Sequence, residues 1–162
     1  MATTKRSLAS APGADWLRLD RQMCFALYSA SLAMTKLYKP LLEPLGLTYP
    51  QYLALLVLWE RDGLSVGELG ERLFLDSGTL TPLLKRMEAA GLLQRARAAD
   101  DERRVIVSLT PAGLTLKQQA RDVPRELGRA AGCSTTELAA LTGRLQALRD
   151  RIIESTPAAG TA

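Results

Sequence analysis

Two close-set helices, with a short charged hairpin directly behind the second, leave this chain few folds to choose from. Ser65-Val66-Gly67-Glu68 is a capping box, in which the serine hydroxyl accepts from the third helical N–H while the glutamate reaches back to the serine N–H. It opens a short helix through Leu69 and Leu73, followed by a turn near Leu75-Asp76. A second helix runs from about Ser77 to Ala90 and stops at Gly91. Pro82 lies early enough in it to cost little more than one backbone hydrogen bond. Leu92 to Arg97 then reads as a strand, Ala98 to Glu102 as a polar turn, and Arg103 to Leu109 as the return strand. The β-branched run Val105-Ile106-Val107-Ser108-Leu109 carries the clearest strand signal.

Helices flank this unit on both sides. Asp20 is placed to N-cap a first helix, with Cys24 in its early turns and Leu27, Tyr28, Leu32 and Met34 along it toward Tyr38. Pro40 and Pro44 perturb its end, and Gly46 stops it. Thr48-Tyr49-Pro50-Gln51 is another capping box, ahead of the apolar run Tyr52 to Trp59, and Asp62-Gly63 closes that helix. After the hairpin, Thr110-Pro111 starts a long helix interrupted near Pro124. Ser134-Thr135-Thr136-Glu137 opens a last amphipathic helix through Leu138, Leu141, Leu145, Leu148 and Ile152. The expected fold is mainly α with a small β-hairpin wing, a winged helix-turn-helix.

Composition narrows the chemistry. The 162 residues contain no histidine, which removes His-based acid/base catalysis and most zinc sites, so neither metal nor cofactor is expected. Lys and Arg outnumber acids by 21 to 17, a modest excess that permits nucleic-acid binding without demanding it. No apolar run approaches the roughly 18 residues that span a bilayer. The N-terminal MATTKRSLASAPGAD lacks the continuous apolar stretch of a secretory signal. No membrane association is expected, and a cytoplasmic setting with reduced thiols is.

In a helix-turn-helix the second helix enters the major groove. Here Ser77, Thr79 and Thr81 are small hydroxyl residues suited to phosphates or bases, and Lys85 and Arg86 follow a turn later. The same residues also fit helix capping and a solvated face. The adjacent hairpin weighs for DNA, because Arg95, Arg97, Arg103 and Arg104 cluster in an element sized for a minor groove. Asp100, Asp101 and Glu102 interrupt that run and are expected to order the wing through ion pairs.

Asp101-Glu102-Arg103-Arg104 followed by Val105 to Thr110 resembles the wing signature of the MarR family of bacterial regulators, over roughly residues 20 to 154. The resemblance implies a homodimer on double-stranded DNA with a pseudo-palindromic operator. It implies dimerisation helices (15–47 and 111–154) around a winged domain (48–110), while the polar, small residues 1–14, with Pro12-Gly13, and 155–162 read as a flexible arm and tail. Gln22 to Tyr28, Leu37 to Leu42 and Leu47 to Tyr52 resemble, more specifically, the organic-hydroperoxide-sensing branch. That implies Cys24 as the peroxide-reactive thiol, and Tyr38 and Tyr49 of the partner subunit as hydrogen-bond donors to its sulfur. Cys133 resembles the second cysteine that closes a disulfide across the dimer.

The residues themselves agree less sharply. A thiolate early in a helix is favoured by the backbone dipole and is the nucleophile toward peroxide. Tyr28, one turn beyond Cys24, is placed to line the same pocket. Equally, Cys24 fits a small buried hydrophobe, Tyr38 and Tyr49 fit ordinary packing, and Cys133 fits a stray surface thiol. Two other functions stay open: a repressor released by a reversibly bound aromatic ligand, and a thiol peroxidase, for which the winged layout offers no support.

Overall fold

The computed structural model describes residues 14–156. The expected arm before Ala14 and the tail beyond Thr156 lie outside them. The tail's first residue, Ser155, closes the last helix instead. The chain divides into two compact units, Met1–Lys36 and Leu37–Ala162.

The described part of the first unit holds 3-10 turns at Ala14–Leu17 and Leu19–Arg21 and the start of α1 (Met23–Leu42). Asp20 does not cap α1. It sits inside the second 3-10 turn, its carboxylate forked onto the Arg18 guanidinium at 3.0 and 2.8 Å, because that partner is two residues away and fully charged. α1 therefore begins three residues later than Asp20, which places Cys24 second in the helix. No described side chain of this unit is buried, and Phe25, Leu27 and Leu32 are exposed.

The second unit begins with the end of α1, which runs through Pro40 to Leu42. A 3-10 turn at Glu43–Leu45 follows, and Gly46 ends it with φ +66°, a conformation that suits a residue without Cβ. α2 (Tyr49–Glu60) starts at the Thr48/Gln51 capping box and buries Tyr52, Ala54, Leu55, Val57 and Leu58. α3 (Val66–Leu73) and α4 (Ser77–Ala89) are the close-set pair. Strands β2 (Leu93–Arg97) and β3 (Val105–Leu109) form the hairpin, paired from Leu93↔Leu109 to Arg97↔Val105.

The hairpin is not alone. A two-residue strand, β1 (Leu64–Ser65), adds to β3 through Leu64↔Val107 and gives an antiparallel sheet of order β1-β3-β2. Two residues carry no alternation to read; their pairing is fixed by burial, with Leu64 and Val107 2% and 0% exposed. Arg103 and Arg104 also lie in the turn rather than in the return strand. Asp101 takes the Arg103 N–H on its side chain at 3.0 Å and the Arg104 N–H on its carbonyl at 2.9 Å, so the ladder starts at Val105.

Beyond the sheet, α5 (Pro111–Gln119) and α6 (Val123–Ala131) are separated by a 3-10 turn at Ala120–Asp122, the interruption expected ahead of Pro124. α7 (Thr135–Ser155) starts at the Ser134/Glu137 capping box and has no buried residue. The core joins α2, α3 and α4 to the sheet. Trp59 ties α2 to α5, its ring N–H donating to the Gly113 carbonyl at 2.9 Å while Lys117 donates to the Trp59 carbonyl at 2.8 Å. No single described helix is long and apolar enough to cross a membrane.

Candidate redox and DNA-reading sites

α4 turns Leu80, Leu83, Leu84 and Met87 into the core, so its other face is open. Ser77, Thr81 and Lys85 fall on that face at i, i+4 spacing, with Arg86 beside them. Ser77, Lys85 and Arg86 are exposed and Thr81 is half-buried. Thr79 has a second task. Asp76 N-caps α4, accepting from the Thr79 N–H at 2.8 Å and from its hydroxyl at 2.9 Å. These two bonds hold the Asp76 carboxyl below its ordinary range, the backbone one contributing most. The Thr79 hydroxyl therefore keeps only its acceptor lone pairs for an outside partner.

The wing residues divide in the same way. Among the described residues the Arg97 and Arg103 guanidinium groups have no carboxylate partner. Of the three wing acids expected to form ion pairs, Asp100 pairs with Arg104 at 3.2 Å, whereas Asp101 accepts the Arg103 backbone N–H instead. Arg95 is held hardest. Its backbone N–H donates to one oxygen of Glu88 at 2.9 Å, and its Nε and Nη2 donate to the other at 3.0 and 2.6 Å. Glu88 sits in the last turn of α4, so this pair braces α4 against β2. Arg95 pulls the Glu88 carboxyl below its usual range. Glu88 was not among the sequence candidates; an acid at the end of one element gives no local sign of a cation seven residues on.

Cys24 lies in the first turn of α1 with an exposed thiol, so in the single chain it does not fill a buried helix face. Tyr28 is exposed one turn further along. Cys133 is a half-buried free thiol between the left-handed Gly132 that ends α6 and the N-cap Ser134 of α7, with its sulfur 3.6 Å from the Ala131 carbonyl.

Tyr38 and Tyr49 do come together. Their rings lie 4.5 Å apart, and Tyr52 joins them, 5.8 Å from Tyr38. Burial first, then the neighbouring Tyr49 and Tyr52, pushes Tyr38 up to about 12. Burial also raises Tyr49 and Tyr52. All three are thus phenols at neutral pH, able to donate. Sequence reading missed Tyr52, although its i, i+3 spacing from Tyr49 on α2 puts both on one side of that helix.

A family described as transcriptional regulator SarA/Rot matches residues 36–120. The organic hydroperoxide resistance transcriptional regulator of Bacillus subtilis is 58% identical over 110 residues, 68% of this chain and 75% of that one. The regulator TtmR of Methylorubrum extorquens is 50% identical over 149 residues, 91% of this chain and 76% of that one. Among solved structures, reduced AbfR bound to DNA superposes with a TM-score of 0.70 at 33% identity, covering 86% of this chain and 96% of that one. Disulfide-formed AbfR gives 0.56 at 36% identity, over 83% and 94%. The sequence of elements, the small three-stranded sheet and these relatives agree: the chain belongs to the SarA/Rot family of transcriptional regulators, winged-helix proteins of the MarR type.

Proposed function

We propose that this protein is a dimeric repressor that leaves its operator when an organic hydroperoxide oxidises Cys24. The observation that carries the reading is an exposed thiol in the first turn of α1, in a chain 58% identical over 110 residues to an organic hydroperoxide resistance regulator. The thiolate attacks the O–O bond, giving a sulfenic acid on Cys24 and releasing the alcohol; the Cys133 thiol then displaces water and closes a disulfide. AbfR supports a change of shape at that second step, since its reduced DNA-bound form fits this chain at a TM-score of 0.70 and its disulfide form at 0.56. The sensor is stoichiometric, a regulator rather than an enzyme, and a cytoplasmic setting keeps it reduced until challenged.

Residues 15–47 and 111–154 serve as dimerisation helices and 48–110 as the reading domain. Exposed Phe25, Leu27 and Leu32 on α1, and Leu141, Leu145 and Ile152 on α7, support this. Covering one such side chain is worth about 1.5–3 kcal/mol. Two winged domains related by a twofold axis call for a pseudo-palindromic operator. The test is release of duplex DNA from the parent protein by an organic hydroperoxide, reversed by dithiothreitol. Release by an aromatic acid with both thiols intact would install the ligand-binding reading instead, and sustained peroxide consumption with a thiol reductant would make the protein a peroxidase.

Ser77, Thr79, Thr81, Lys85 and Arg86 face the major groove in this reading, and Arg97 and Arg103 reach the backbone or minor groove. Arg103→Ala is expected to weaken binding to operator and unrelated DNA alike, and to flatten the log–log salt dependence by about 0.9 for each phosphate that is no longer neutralised. Unchanged affinity and slope would leave Arg103 as part of the Asp101 turn only.

Tyr38 and Tyr49 donate to the thiolate of the partner's Cys24, with Tyr28 lining the same pocket. Their rings lie 4.5 Å apart and burial keeps both hydroxyls protonated, which supports donation. Tyr38→Phe and Tyr49→Phe should each keep operator affinity and slow the reaction of Cys24 with hydroperoxide. Removing a hydrogen bond to the thiolate raises the thiol pKa and shrinks the reactive fraction. Stopped-flow rates equal to the parent's in both variants would return the tyrosines to packing.

A further inference from the structure

An open groove of about 470 Å³ lies between the start of α3 and the wing, lined by Val66, Gly67, Thr81, Arg103 and Arg104 among others. Among the described residues no carboxylate lines it. Arg103 is without an acidic partner among the described residues, and the Arg104–Asp100 pair is a surface contact that a stronger anion can displace.

Gly67 is the unexplained residue here. It is the second residue of α3, exposed, and without a positive φ. A Cβ placed on it would meet only the Ser65 hydroxyl oxygen, at 3.9 Å. Elsewhere in segment 48–110 every described glycine has an internal reason. Gly63 and Gly91 have positive φ, a Cβ on Gly70 would lie 2.8 Å from the Leu75 carbonyl, and one on Gly78 would lie 3.0 Å from the Asp76 carboxylate. Outside that segment Gly143 shares the property, on α7. Glycine is the poorest helix former after proline, so the fold by itself favours alanine at 67. A bare backbone in a groove lined by arginines is what close approach of an outside group requires.

We infer that this groove seats a backbone phosphodiester of the bound DNA, with Gly67 allowing the approach and Arg103, Arg104 and the Thr81 hydroxyl supplying donors. The inference rests on the DNA-binding reading above and adds α3 to the contact surface. A phosphodiester is a compact tetrahedral monoanion, which suits two guanidinium groups and a hydroxyl around an unobstructed backbone.

The experiment compares the parent with Gly67→Ala and Gly67→Asp. Each is titrated across a salt series with a duplex selected by the parent from a random-sequence pool and with a scrambled duplex of equal length. Thermal melts accompany the titrations. The expected result for Gly67→Ala is a melting temperature equal to or above the parent's, with affinity for both duplexes reduced on the order of tenfold and a salt slope shallower by about 0.9 for each phosphate that no longer seats. Gly67→Asp should lose more, since it adds a like charge. Parent-like affinity and slope in Gly67→Ala would overturn the groove assignment alone. So would a lowered melting temperature, because the fold would then need the glycine. No duplex binding by the parent would overturn the DNA-binding reading and the groove with it. Inorganic phosphate, added at ionic strength matched by chloride, should not raise the parent's melting temperature. A rise in the parent that is absent in Gly67→Asp, with DNA affinity unchanged in Gly67→Ala, would make this a free-anion site instead.

Discussion

Cys24→Ser is expected to bind operator like the parent and to stay bound under organic hydroperoxide. Serine is nearly isosteric, and Cys24 lies on α1, outside α4 and the wing where the proposed DNA contacts lie. Its hydroxyl does not take up an oxygen atom from the peroxide, so the first step is removed. Cys133→Ser separates the second step from the first. This variant should still react at Cys24, because one thiolate suffices to form the sulfenic acid. It should lose the covalent link: the treated parent runs as a reducible dimer on a non-reducing gel, while the variant stays monomeric. With no resolving thiol the sulfenic acid over-oxidises to forms that dithiothreitol does not reverse, so recovered DNA binding should decline with exposure time. A mobility shift without dimerisation in the parent would place the bond within one subunit. Peroxide-induced release from Cys24→Ser would end the sensor reading.

Among the described glycines, Gly113 is the one whose replacement by alanine should destabilise the fold most. Gly113 is the third residue of α5, and a Cβ there would stand 2.1 Å from the Leu92 carbonyl oxygen and 3.1 Å from a Leu109 methyl. The nearest obstacle is backbone that cannot swing aside. The Leu92 carbonyl already accepts from the Thr110 N–H at 3.1 Å, and the Gly113 carbonyl accepts from Trp59 at 2.9 Å. α5 must therefore back away by more than an ångström, straining both bonds and opening the seam between α2, α5 and the sheet. Overpacking against fixed backbone costs about 3 kcal/mol or more. For a chain of this length that corresponds to a fall of roughly 10 °C in melting temperature. A melt by circular dichroism within about two degrees of the parent would show that α5 yields far more easily than its contacts indicate.

The two expected results draw on different kinds of information. Cys24 stood out in the sequence, through the motif around it and its place early in a helix. Gly113 did not, because its neighbours are 21 and 4 residues away in sequence at Leu92 and Leu109, and only the docking of α5 brings the Leu92 carbonyl against it. The same division runs through the proposed DNA contacts. Thr79 looked like a contact residue from its spacing, and the fold also makes it the partner of the Asp76 cap. Arg95 looked like a free wing cation and is braced by Glu88.

By itself the sequence determined what depends on near neighbours. The capping boxes at Ser65/Glu68 and Ser134/Glu137 form with both bonds, and at Thr48/Gln51 the glutamine side chain accepts the Thr48 N–H, since each needs only residues three apart and one turn of helix. The stops at Gly46 and Gly91 coincide with positive φ, a property of the single residue. The order of helices and the β-branched return strand follow from such local signals. The tertiary structure decided what rests on residues far apart in the chain. β1 exists because Val107 and Leu64 are buried together 43 positions apart, not because two residues favour a strand. Tyr38 joins Tyr49 and Tyr52 because the 3-10 turn after α1 folds α2 back beside it. The groove at Gly67 exists because the wing turn, more than thirty positions on, closes over the start of α3. Local hydrogen bonding needs no partner beyond the next turn, whereas burial and charge pairing are settled only when the whole core has closed.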